Sequence, residues 1–283
     1  MNRSVDVYGH HPGSEYTPAA FRHYVRRTAL LGELSRLKFG SMLDVGCAEG
    51  FFMNAVRERF GTETWGVDIS DSAVRKAREN FGFNVAAADA TNLPFPDDCF
   101  DVVLSTETIE HVLDPDKMVA EMKRVARRYV IVTTPVSQTS HEHEPDYDLK
   151  EEGHVNDFDA PTVRALFGSD AKLGSFRCNS TFALVKAFGR YLPAGFRDIF
   201  YKLDYYTARY LGAPHRSFKP LRNRDWLVVA PTSAAEERTP EWRCPSCGGL
   251  VTEEPDNGFK CENGHSYGAV TPGVPDFAVS VTA

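Results

Sequence analysis

Cys244, Cys247, Cys261 and His265 stand in the spacing C-x2-C followed by C-x3-H. Three thiols and one imidazole can close a tetrahedral zinc site with no open position, so the role would be structural. Glycines after Cys247 and before His265 permit tight knuckles. A segment of ~40 residues has too little core to fold by itself, and a bound metal would supply the missing stability. A second group lies upstream. The stretch Leu43-Asp44-Val45-Gly46-Cys47-Ala48-Glu49-Gly50 ends an apolar run in an acid and a glycine turn, and Asp68 and Asp89 follow further apolar runs. Glycine lets a backbone approach a ligand closely. An acid at the second strand end can accept hydrogen bonds from ribose hydroxyls, and one at the third can accept from an adenine amino group. The turn lacks the lysine of a phosphate-cradling loop and is not G-x-G-x-x-G. The joint pattern points to an adenosine-bearing ligand. The bland alternative makes Asp68 and Asp89 helix caps or turn residues.

These positions require elements to hold them. Strands are expected at 41–45, 64–67, 84–88, 100–105, 129–133 and 226–230, with one or two more between 172 and 185. Helices are expected at 50–60, 70–81, 115–127 and 161–167, and a first one from Pro18, behind the possible cap Thr17, to Gly40. Strands alternating with helices at this spacing predict an α/β fold with a doubly wound, mostly parallel, seven-stranded sheet. The expected organisation is a front cap helix region over 1–40, a ligand-binding domain over 41–231 with an insertion at 182–225, and a separate small unit over 241–283. Pro231 to Pro240 reads as the linker.

Five stretches carry a resemblance: Leu43 to Gly50, Gly66-Val67-Asp68-Ile69-Ser70, Asp89-Ala90-Thr91-Asn92-Leu93-Pro94-Phe95, Phe100 to Ser105, and Glu110-His111-Val112-Leu113-Asp114-Pro115. Over residues 41–135 the chain resembles the class I S-adenosylmethionine-dependent methyltransferases, with their Rossmann-like fold, and its third stretch is most like the small-molecule branch that includes quinone-pathway enzymes. The resemblance implies that Asp44 and Gly46, with Ala48 and Gly50 in the same turn, meet the methionine end. It implies that Asp68 and Ile69 meet the ribose side, Asp89 and Ala90 the adenine, and Thr106 the reacting end. Ala48 stands where the family has a middle glycine, so tighter packing is expected there without loss of binding.

A sulfonium methyl is already electrophilic, so the protein needs to align an acceptor and, for an alcohol or phenol, remove its proton. Thr106, Glu107, Glu110 and His111 follow the fourth strand. An imidazole ordinarily titrates near 6.5, which makes His111 the candidate base; the alternative is a packing role. Glu107-x-x-Glu110-His111 also resembles the metal-binding pattern of some Mg-assisted O-methyltransferases, with His154 where such families supply another histidine. Two carboxylates and an imidazole on one helical turn could hold a hard cation such as Mg and orient acceptor oxygens.

The terminal Cys261 to Tyr267 run resembles the small zinc ribbon at the front of ribosomal-RNA guanine methyltransferases, here in reversed order. Similar ribbons precede small-molecule methyltransferases too. Residues 186–224 interleave aromatic and basic side chains, a possible cap over an anionic, lipidic or nucleic-acid acceptor; the bland reading is a packed helical insertion. Tyr16 and Tyr24 are candidates to close the site. The chain has 283 residues and a net charge of -7, which argues against a general nucleic-acid-coating protein. It shows no apolar run near the ~20 residues of a membrane span and no signal-peptide pattern, so a cytoplasmic location is expected. The leading expectation is a methyltransferase acting on a small organic acceptor at oxygen. The alternatives are an RNA methyltransferase gripping RNA through ribbon and insertion, and a non-catalytic cofactor-binding adaptor. Oligomeric state is not legible.

Overall fold

The computed structural model describes residues 18–136, 154–177, 224–232, 238–256 and 258–278. The chain divides into two compact units. One comprises residues 39–173 and 227–283 with the first four residues, and the other comprises 5–38 and 174–226.

The larger unit is built on β1 (Ser41–Val45), β2 (Glu63–Asp68), β3 (Asn84–Ala87), β4 (Phe100–Thr106) and β5 (Ala126–Pro135). All four pairings among them are parallel, in the order β5-β4-β1-β2-β3. β1 is buried at every position and β4 at all but its last, as expected of parallel strands covered on both faces. Helices α2 (Phe51–Phe60), α3 (Asp71–Phe81), α4 (Pro115–Val125) and α5 (Ala160–Phe167) connect the strands or follow them. Their starts are written in short polar residues. Ser70, Asp114 and Asp159 each accept a backbone N–H from the first turn with the side chain, and Pro115 and Pro161 occupy first-turn positions. Gly61 and Gly82 end α2 and α3 in the left-handed conformation.

The chain leaves β1 outward to β2 and β3, then crosses back to β4 on the other side of β1. The strand order therefore reverses between β1 and β4, and ligands of open α/β sheets bind at the carboxyl ends beside such a reversal.

Several element boundaries differ from expectation. α4 stops at Val125 and β5 begins at Ala126, three residues early, because Ala126, Val130, Ile131 and Val132 all enter the core while Arg127 pairs with Asp101. The sheet also does not end at β3. β11 (Val274–Asp276) pairs parallel with β3, and β10 (Ser266–Thr271), β9 (Phe259–Cys261) and β8 (Val251–Glu253) continue antiparallel. The mostly parallel sheet is thus mixed, and the expected C-terminal unit is welded to its edge. β7 (Arg224–Pro231) lies next to β5 in the strand order, and Thr232 N–H donates to the Arg128 carbonyl (2.9 Å).

Described by itself, the second unit contains α1 (Pro18–Leu34), which ends short of the expected Gly40, and a buried Arg26–Asp225 ion pair at 2.9 Å. β6 (Lys172–Arg177) leads into it. Tyr16 and residues 178–223, including nearly all of the aromatic and basic insertion, lie outside the described residues, as does the side chain of Tyr24. No described helix is long and apolar enough to cross a membrane.

Candidate active site and candidate metal centre

The turn after β1 is folded by its own backbone. Gly46 and Cys47 N–H groups both donate to the Val67 carbonyl (2.8 and 3.0 Å), which ties the turn to β2. Gly46 and Gly50 have φ of +80° and +79°. A Cβ at Gly46 would lie 2.2 Å from the Thr108 hydroxyl oxygen, so the close approach of the β1 and β4 ends requires glycine there. Ala48 adopts φ +47°, a left-handed conformation that glycine takes without penalty. Its N–H donates to Asp68 Oδ2 (2.9 Å). The irregular letter of the turn thus carries backbone strain, which differs from the tighter packing expected of its methyl group.

Asp44 and Asp68 stand together beside this turn. Asp44 is 1% exposed, and its Oδ1 finds no hydrogen-bond partner among the described residues. Burial, assisted by the Asp68 charge, pushes the Asp44 carboxyl up to about 7. Asp68 is pushed up by burial as well, opposed by N–H groups of Ser70, Ala48 and Ile69. Two carboxyls held in low dielectric beside a turn make a place where a cationic, hydroxyl-bearing ligand is more stable than water. That is the chemistry of the ammonium and ribose groups of S-adenosylmethionine, and the residues present fit it. Ile69, next to Asp68, leaves 45% of its surface exposed. Asp89 uses Oδ1 to accept both the N–H and the hydroxyl of Thr91 (2.8 Å each). This is the turn role of the bland alternative, and it fixes the loop that carries Ala90.

Gly66 is a site residue that the sequence pattern did not single out. A Cβ there would meet Met53 Sδ at 2.7 Å and Cys47 Sγ at 2.8 Å, so the glycine lets α2 and the turn close onto β2. An isolated glycine inside an apolar strand was the available signal.

At the end of β4, Glu107 has φ +51°, and its N–H donates to the Thr133 carbonyl (2.9 Å). A non-glycine residue with this left-handed backbone is strain of the kind that clusters at functional sites. A 3-10 turn then spans Ile109–His111. Asn156 Nδ2 donates to the Val112 carbonyl (2.5 Å), and Val155 and Asn156 N–H groups both donate to the Glu110 carbonyl (2.8 and 3.1 Å). This staple brings His154 to His111, ring to ring at 4.8 Å in an edge-on arrangement. Glu110 is buried and accepts the Thr134 hydroxyl at 3.1 Å.

Ligand atoms of Glu110, His111 and His154 lie within 4.8 Å of one another; Glu107 is not in that group. The expected helical turn is a 3-10 turn that begins after Glu107, so it carries Glu110 and His111 but not Glu107. One carboxylate and two imidazoles suit Mn²⁺, Fe²⁺ or Zn²⁺ better than the all-oxygen preference of Mg²⁺.

The four C-terminal candidates converge. Cys247 Sγ is 3.8 Å from Cys261 Sγ, and His265 Nδ1 is 3.3 Å from Cys261 Sγ and 3.6 Å from Cys244 Sγ. Zn–S bonds of about 2.3 Å at tetrahedral angles separate sulfurs by about 3.8 Å, so the group fits a zinc ion. Gly248 (φ +73°) and Gly264 (φ +90°) turn the two knuckles. The Asn263 amide, with the Gly249 N–H, holds the Cys247 thiol down to about 6, toward the thiolate that a metal binds. The Tyr267 hydroxyl lies 2.8 Å from Cys244 Sγ, a partner of the thiol that spacing alone did not reveal.

Residues 43–132 match the family model described as a methyltransferase domain. Over this region the chain is similar to methyltransferase domains. Its curated relatives include norajmaline N-methyltransferase from Rauvolfia serpentina, 39% identical over 95 residues, which are 30% of this chain and 32% of that protein. Tocopherol O-methyltransferase from Arabidopsis thaliana is 33% identical over 119 residues, 38% of this chain and 34% of that one. The chain spans about a third of the length of these two curated relatives. Among solved structures, a phosphoethanolamine N-methyltransferase from Haemonchus contortus with S-adenosyl-L-methionine superposes with a TM-score of 0.51 at 17% identity. The superposition covers 78% of this chain and 58% of that one, and it shows the shared fold.

Proposed function

We propose that this chain transfers the methyl group of S-adenosylmethionine to a small organic acceptor, at oxygen. The observation that carries the reading is the pair of strand-end acids, buried Asp44 and half-buried Asp68, beside a glycine turn that admits no larger residue at Gly46. Asp44 receives the ligand's ammonium group and regains its charge in doing so. Asp68 accepts the ribose hydroxyls, and the 89–90 corner of the next loop borders the adenine. When bound, the sulfonium supplies an electrophilic methyl group. Thr106 and the strained Glu107 border the reacting end, and His111, turned by the 3-10 segment, accepts the acceptor's proton. The O- and N-methyltransferases among the relatives support methyl transfer to small molecules in general.

Zinc is the structural ion of the Cys244, Cys247, Cys261 and His265 group. A cation at Glu110, His111 and His154 is the metal-assisted form of the same reaction. The RNA alternative draws no support from the described residues, because the basic stretch behind it lies almost wholly outside them. Calorimetric titration with S-adenosylmethionine, followed by methyl-transfer assays on a panel of phenols, carboxylic acids and amines, tests the reading. Failure to bind the cofactor would sink it, and exclusive transfer to nitrogen would overturn the choice of oxygen. Full activity after removal of divalent cations from the His111 group would eliminate the metal-assisted form.

A further inference from the structure

The strand end that carries Asp89 is held from two sides. On one, Ala88 N–H donates to the Asp68 carbonyl (2.9 Å). On the other is β11 of the ribbon: Asp276 pairs with Ala87, and Phe277 N–H donates to the Ala87 carbonyl (2.7 Å). The following loop, residues 89–96, meets the ribbon again. Arg243 N–H donates to the Pro94 carbonyl (2.8 Å), and Asn92 Nδ2 donates to the carbonyl of Pro245 (3.2 Å). Pro245 is the residue directly after Cys244, inside the C-x2-C knuckle. Trp242, two residues before Cys244, packs its ring 4.9 Å from Trp65 and 5.1 Å from Phe95 of the same loop. From β11, Val274 is fully buried in a cluster with Cys47, Met53 and Phe83, behind the glycine turn.

The rest of the loop is held by α4. The Leu93 N–H donates to Glu121, and the Arg124 guanidinium donates to the Leu93 and Phe95 carbonyls. Those bonds fix residues 93–95. The corner nearest Asp89 and Ala90 depends on Thr91, on Asn92 and on what Asn92 holds. That partner is a backbone carbonyl whose position is set by the knuckle, and the knuckle's shape is set by its metal.

We propose that the C-terminal metal site is a positioning element of the cofactor site, so that zinc binding and S-adenosylmethionine binding are thermodynamically coupled. The proposal rests on the cofactor and zinc readings above. Metal in the cysteine–histidine group orders the knuckle, the knuckle and Trp242 hold loop 89–96, and the loop presents its 89–90 corner to the adenosine. Coupling is reciprocal: zinc raises cofactor affinity by some factor, and cofactor raises zinc affinity by the same factor, typically about 5- to 150-fold. Asn92 and Trp242 are positioning residues and do not touch the cofactor.

The test uses the full chain. The dissociation constant for S-adenosylmethionine is measured by calorimetry on zinc-loaded and chelator-stripped protein, for the wild type, Asn92→Ala and Trp242→Ala. The expected result is at least about fivefold weaker binding after stripping. Asn92→Ala, at unchanged zinc content, should weaken binding in the loaded protein and cause no further loss in the stripped one. That non-additivity is what a merely structural ribbon would not produce. Saturating S-adenosylhomocysteine should also slow zinc release to a colorimetric chelator. Equal affinity in both metal states, or an Asn92→Ala effect of the same size in both, would overturn the proposal. If stripping unfolds the chain, the loaded Asn92→Ala protein decides: unchanged affinity there and unchanged zinc-release rates with ligand overturn it. A zinc-loaded wild type that binds no cofactor would overturn the cofactor reading itself, and a chain that retains no zinc would overturn the zinc reading.

Discussion

The two central strands carry buried acids at both ends, and the ends treat them oppositely. At the amino end, Asp101 near the start of β4 is surrounded by donors. Arg127 donates to it at 2.7 and 3.0 Å, Arg128 lies 3.0 Å away, and the Gly40 N–H donates at 2.7 Å. Burial works to raise the Asp101 carboxyl, but the Gly40 amide and the arginines outweigh it and hold the group below its ordinary value. At the carboxyl end, Asp44 is as deeply buried and has no cation among the described residues near its free oxygen; burial and the Asp68 charge raise it to about 7. One acid is completed by the fold, and the other is shaped for something brought from outside. Structural carboxylates have their partners built in, whereas binding carboxylates hold desolvation in reserve until a ligand arrives.

That contrast can be broken from either end. The largest effect is expected at the completed one. Arg127→Ala leaves a buried charge with only Arg128 and an amide, and should cost about 3–5 kcal/mol in urea unfolding. A loss under about 1 kcal/mol would mean that Asp101 is not held mainly by Arg127. Next comes Gly46→Ala. The new methyl would meet the Thr108 hydroxyl at 2.2 Å in a left-handed backbone, for a destabilisation of about 2–3 kcal/mol and loss of cofactor binding. Adding Thr108→Ala should recover part of the stability loss, and full additivity of the two changes would show that the contact is not the cause.

Asp44→Asn sharpens the comparison more directly. Cofactor affinity should fall at least about tenfold, near 1.4 kcal/mol, while the ligand-free protein keeps or gains stability. The pH dependence follows from the sign of the shift. Because the folded value is raised above the unfolded one, Asp44's contribution is fully present below about pH 4 and is lost as pH rises through about 7. Relative to Asp44→Asn, the wild type should therefore lose stability between pH 5 and 8 and bind S-adenosylmethionine more tightly over the same interval. The opposite slope would remove Asp44 from the cofactor site. Asp101, with its folded value lowered, should behave inversely, contributing above about pH 4 and losing that contribution on acidification. The smallest effect is expected of Ala48→Gly, a gain of about 0.5–1 kcal/mol from relief of the left-handed strain, visible as a modest rise in Tm.

Much of the site was readable because it is local. The apolar run ending in Asp44, the glycines at 46 and 50, the cap residues Ser70 and Asp114, and the C-x2-C and C-x3-H spacings are each set within a few residues, where propensity and backbone geometry decide. The same holds for the order of strands and helices that places Asp44, Asp68 and Asp89 at successive strand ends. What failed to show was non-local. Glu107 looked equivalent to Glu110 by spacing, but it takes a left-handed backbone ahead of the 3-10 turn that carries Glu110. His154 meets His111 because Asn156 staples two distant segments, and that is a matter of packing.

By itself, then, the amino-acid sequence determined the alternating core, the glycine turn and the two sets of candidate ligands, because each follows from short-range periodicity and backbone permissiveness. Only the tertiary structure decided which acid is satisfied and which is not, since that depends on desolvation and on partners such as Arg127 and Gly40, 26 and 61 residues from Asp101 in the chain. It alone decided that the ribbon extends the sheet at β3, because an unpaired strand edge is closed by whichever segment can reach it with matching hydrogen bonds and a buried side chain such as Val274.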